Sequence, residues 1–210
     1  MKVFLMIIGA ILVIAALSIF WAYSSFTYQP DYFEEVEKIN FSEKRQQGRE
    51  IEARVREELN ETGETKVSGD EITSLIISQI SKRGKVDLQP IVKKVKSEII
   101  DGRLKMEALV DVEKLTKQEM PDKVREYLDL FLESAPKDML ENVYVSFDGI
   151  PIRDGSVLKF AEDAQINIGD FSYDLASIKG SHKIRIGASM LKKLGISNFE
   201  VLENQILLKK

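Results

Sequence analysis

The sequence predicts an α+β protein: an N-terminal transmembrane helix followed by one domain of antiparallel sheet packed with amphipathic helices. Three observations predict it. Residues 3–30 carry no charged side chain. Two extended runs, 92–100 and 103–112, flank Asp101-Gly102, the dipeptide favoured in a two-residue type I′ hairpin. The remaining strand-like runs are joined by short turns rather than helical crossovers, which gives antiparallel pairing and not a βαβ series.

The apolar run is densest over residues 3–23, about 31 Å as a helix, close to the hydrocarbon thickness of a bilayer. Trp21, Tyr23 and Tyr28 close it as an interfacial aromatic belt would. A cleaved signal peptide is the competing reading, but the run is longer than a usual h-region and Ala22-Tyr23-Ser24 is a poor cleavage site. Lys2 precedes the span, while Asp31, Glu34, Glu35 and Glu37 follow it. Positive-inside logic then places the N-terminus in the cytoplasm and the domain outside. The expected organisation is a signal-anchor over 1–30, a charged stalk helix over 31–64 and the α+β domain over 65–210.

In the stalk, Ser42 is the expected cap of a helix over 43–60. Ile51, Val55 and Leu59 form a stripe too thin to hold a core alone. Ser68 and Glu71 make a capping box that opens a helix to about residue 82, with Ile72, Leu75, Ile76 and Ile80 on one face. In the run 103–112, Leu104, Met106, Ala108, Val110 and Val112 alternate with mostly charged residues, so the sheet is expected to be covered on one side. A second amphipathic helix carries Val124, Tyr127, Leu128, Phe131 and Leu132 after Asp122. Strands follow over 143–147, 157–160, 164–168, 171–175 and 183–187. A short helix over 188–194 and a hairpin about Glu203-Asn204 complete the chain.

Net charge is −4 with both signs mixed and no basic stripe, so nucleic acid is not an expected partner. There is no cysteine, and the one histidine, His182, lies in a turn-like context. No metal site, cofactor motif or catalytic residue is therefore expected. Asp101, Asp148 and Asp154 each precede Gly, where turn chemistry accounts for them. Asp111 and Glu113 share a strand face, but the solvated one. The helix bearing Val124, Tyr127, Leu128, Phe131 and Leu132 is expected over Leu104, Met106 and Val110. The space between is either an ordinary core or an elongated apolar groove that accepts an acyl chain, and periodicity does not separate the two.

Several short stretches resemble the YpmS-like (DUF2140) family of bacterial envelope proteins and, more distantly, TULIP/SMP-like lipid-binding domains. They are Val67-Ser68-Gly69-Asp70-Glu71-Ile72, Ile100-Asp101-Gly102-Arg103-Leu104-Lys105-Met106, Ile168-Gly169-Asp170-Phe171, Leu191-Lys192-Lys193-Leu194-Gly195-Ile196 and Ile206-Leu207-Leu208. The acidic segment before Val67 is longer than that layout calls for. The resemblance implies a bacterial cell-envelope protein and transfers no catalytic residue. The expected function is a membrane-anchored, non-enzymatic protein that binds lipid or another hydrophobic ligand in the groove. The alternative is a structural or scaffold protein that recruits an envelope partner through its stalk or domain surface.

Overall fold

The computed structural model describes residues 24–25, 27–83, 87–118, 140–154, 157–177 and 194–210. A one-turn helix α1 (Asp31–Glu34) precedes the long helix α2 (Phe41–Glu61). Strand β1 (Glu64–Val67) leads into helix α3 (Gly69–Arg83), then the hairpin β2 (Val92–Ile100) and β3 (Arg103–Val110). A short helix α4 (Val112–Thr116) is followed by β4 (Val143–Gly149), β5 (Pro151–Asp154), β6 (Val157–Phe160), β7 (Gln165–Ile168) and β8 (Phe171–Asp174). The last strands are β9 (Asn198–Val201) and β10 (Ile206–Lys209).

Local chemistry explains the best-formed pieces. Asp101 and Gly102 have φ of 51° and 74°, the two left-handed residues of a type I′ turn, so the hairpin closes as predicted. The α3 capping box is reciprocal: Glu71 N–H donates to Ser68 Oγ at 3.3 Å and Ser68 N–H to Glu71 Oε2 at 2.9 Å. The α2 cap is Asn40 rather than Ser42, with Glu43 N–H donating to Asn40 Oδ1.

Among the described residues all pairings are antiparallel, β5 with β6 forming a separate two-stranded ribbon. The larger sheet runs β2-β3-β4-β7-β8, and a three-stranded sheet runs β1-β10-β9. The main core joins both sheets to α2: Val55 and Leu59 meet Val67, Ile99, Leu104, Phe199, Ile206 and Leu208, all buried. The helix over 41–61, expected as a stalk, thus shares the domain's core. It crosses α3 closely at Gly48, where a Cβ would lie 2.2 Å from the Ser74 carbonyl oxygen. The α3 face there is small and polar, with Ser74 and Ser78 buried, whereas Ile76 of the predicted apolar face is only partly covered.

Among the described residues no helix is long and apolar enough to cross a membrane. This corrects the expected single-span architecture as far as the described residues go: none of them supplies the signal-anchor on which the membrane and cell-envelope placement and the cytoplasmic N-terminus rested. The reason is compositional: α2, at 21 residues, has the length of a span, but charged side chains run along it from Glu43 to Glu61. Residues 24–30 were expected to end the span. Among them Ser25 is instead buried, its carbonyl accepting from Asp170 N–H at 2.8 Å. The run 3–23 that carried the expectation lies outside the described residues. So do the helix over 122–132, the turn at Gly155-Ser156, His182, the strand over 183–187 and most of the helix over 188–194.

Candidate functional site

The polar face of the larger sheet is not left to solvent. Register places Lys94 and Lys96 of β2, Glu107 and Leu109 of β3, and Tyr144 and Ser146 of β4 on that face. Onto it folds a strap, residues 30–40. Its Phe33 is 0% exposed and packs edge-to-face on Tyr144, with ring centroids 5.2 Å apart, beside Leu109 and Val36. Tyr32 and Tyr144 both donate hydrogen bonds to Glu107 Oε1. Burial and then the Glu107 carboxylate push both phenol hydroxyls above their ordinary value, so they stay protonated donors. The Lys94 ammonium donates to the carbonyls of Phe33 at 3.1 Å and Glu34 at 2.7 Å. Farther along, Lys38 forms an antiparallel bridge with Lys94, and Ile39 N–H donates to the Lys93 carbonyl at 3.1 Å. The strap so covers part of β2, an edge strand of the sheet.

Where the strap turns into α2, a cleft of about 660 Å³ opens. Lys38, Ile39, Asn40, Phe41 and Ser42 form one wall; Gln89, Val92, Lys93 and Lys94 form the other; Leu109 and Asn142 complete it. Its lining holds three lysines, several amide donors and no carboxylate. Lys93 donates to the Glu141 carbonyl at 2.6 Å and to Asn142 Oδ1 at 2.9 Å. The Asp111 Oδ2 carboxylate oxygen is 4.0 Å from Lys93 and is itself closer to Lys114, at 2.7 Å. Burial works against the Asp111 charge, but Lys114, through its side chain and backbone N–H, and Lys93 together hold that carboxyl below the usual range.

The predicted groove residues separate. Leu104 is 6% exposed inside the main core, and Met106 packs against the same cluster. Val110 packs with Val112, Leu140 and Val143 in another cluster. Val124, Tyr127, Leu128, Phe131 and Leu132 lie outside the described residues. The lipid-binding reading is corrected accordingly: its Leu104 end is closed by α2, β1 and β10, whose side chains occupy the space an acyl chain would need. Asp111 and Glu113 are not a strand pair. The strand stops at Val110, and Asp111 caps α4 by accepting from Lys114 N–H at 2.9 Å. Asp148 lies within β4, where it pairs with Arg103 rather than making a turn. Among the described residues no group of His, Cys, Asp or Glu is placed to hold a metal ion.

The sequence reading missed the strap and the cleft. Two signals pointed to them: Phe33 and Val36 are apolar within an acidic run, and Leu109 is apolar on a strand face that is otherwise charged. Comparison with protein-family models, curated proteins and solved structures gives no match for the chain. The likeness to the YpmS-like family rests on its short quoted stretches alone.

Proposed function

We propose that this chain is a non-enzymatic structural protein that recruits another protein through its domain surface, with the cleft between the strap and β2 as the docking place. The observation that supports this is the cleft's lining. It offers fixed lysine and amide donors beside apolar Val92 and Leu109, a recognition surface with no nucleophile-and-base pair. The helix α2 and the strap build one wall, so the segment expected as a stalk supplies part of the docking surface.

Site-directed photocrosslinking in cells tests this. A photoreactive residue at Gln89 or Asn40, on the cleft rim, is expected to give one discrete protein adduct. The same residue at Tyr173, on β8 and exposed, is expected to give none. Equal adducts from all three positions, or none from the rim, would refute docking at this cleft.

A further inference from the structure

We infer that the cleft takes an acidic segment of the partner protein, whose carboxylates sit among Lys38, Lys93 and Lys94. This rests on the docking reading above and names the chemistry of what docks. Lys38 and Lys94 stand directly opposite each other in an antiparallel bridge. Like charges in that position destabilise a strand pair, and an anion between them removes the penalty. Lys93 and Lys94 are consecutive, and on a regular strand they would point to opposite faces. Here the register shifts between Val92 and Lys94, and both residues line the cleft. A bulge of this kind re-aims side chains, and this one gathers positive charge.

The Lys94 charge is held in place without being cancelled, by two uncharged backbone carbonyls. Lys93 is oriented by a carbonyl and an amide oxygen and is offset only in part by Asp111 Oδ2, which lies 4.0 Å away and closer to Lys114. Their ammonium groups are thus positioned in advance for an incoming anion, which lowers the ordering cost of binding. In a chain of net charge −4, a wall without any carboxylate is a local reversal of sign. Asn40, Gln89 and Asn142 add amide donors for carboxylate or main-chain oxygens. The volume suits several side chains of a peptide rather than one small ion.

The test is a titration of the full chain with a hexaglutamate peptide, followed by amide chemical shifts. Shifts are expected at residues 38–42, 89, 92–94 and 142, and they should weaken as salt rises from about 0.05 M to about 0.5 M. Lys38→Glu should lower affinity at least about fivefold. Lys94→Gln, which keeps a donor for the strap carbonyls, should lower it in the same direction. Lys38→Glu should melt no lower than the parent, because it sets an opposite charge across from Lys94, and Lys94→Gln should melt close to the parent because the strap stays tied. Hexaglutamine should not bind. Equal binding of hexaglutamine, no response to either variant, or shifts scattered elsewhere would overturn the inference. So would inorganic phosphate that reproduces the same shifts at comparable affinity, which would make the cleft a small-anion site. If rim crosslinks form while hexaglutamate fails to bind, docking stands and only the acidic chemistry falls.

Discussion

Replacing Phe33 with Ala should destabilise the protein by about 3 kcal/mol, although the residue lies in a segment that reads as a charged linker. Full burial of a Phe side chain contributes about 1.5–3 kcal/mol, and an edge-to-face aromatic partner adds about 0.5–1.5 kcal/mol. Phe33 has both, being 0% exposed with Tyr144 at 5.2 Å. The cavity left behind would be lined by Leu109, Tyr144 and Val36. That cluster is small, so the strap can peel away instead of holding an empty cavity, which keeps the loss near the lower end of the about 3–5 kcal/mol typical of Phe→Ala. Urea unfolding followed by far-UV circular dichroism measures it. The midpoint should fall, and the slope should also fall if the strap is already released in the variant's folded state, since less surface is then left to expose. A loss under about 1 kcal/mol with an unchanged slope would show that Phe33 is not packed on the sheet and that the strap is a linker after all.

Leu104→Ala should cost about 2–5 kcal/mol in the same assay, because Leu104 is enclosed by α2, β1 and β10; a loss well under 1 kcal/mol would reopen the groove. Gly48→Ala should cost about 1–3 kcal/mol, since the new methyl would meet the α3 backbone at Ser74; an unchanged midpoint would mean that α2 and α3 do not cross there. The Asp111 carboxyl titrates lower folded than unfolded, so its contribution is present above the unfolded value of about 3.9 and is lost as pH falls through the folded value. Asp111→Asn keeps a helix cap but removes this charge. The stability gap between parent and variant should therefore narrow as pH falls below about 4, and a gap constant with pH would contradict the assignment.

What could be read from the sequence was what neighbouring residues decide. Asp101-Gly102 fixes its turn by backbone conformation, and Ser68 with Glu71 fixes a helix start within four residues. The β2–β3 register follows from that turn. The strap depends on contacts between residues far apart in the chain, such as Lys94 with Phe33 and Tyr32 with Glu107, and periodicity carries no trace of them. The same holds for the pairing of the first strand with the last, Val67 opposite Ile206, which closes the core over Leu104. A thin stripe on α2 was correctly insufficient by itself, but β1 and β10 supply the rest of its burial. The cleft was invisible for a further reason. A bulge, not alternation, brings Lys93 and Lys94 onto one wall, and a two-residue period assigns them to opposite faces. The long apolar run suggested a single-span architecture, and among the described residues the one helix of span length, α2, is charged along its length.

Docking and acidic recognition meet in one competition measurement: the yield of the protein adduct photocrosslinked from Gln89 as hexaglutamate is added to the full chain with its partner. If the partner enters the cleft through carboxylates, the adduct should fall in step with the peptide occupancy read from the shifts of residues 92–94, while hexaglutamine leaves it unchanged. An adduct that persists at full peptide occupancy would place the partner elsewhere and contradict docking in the lysine-lined cleft.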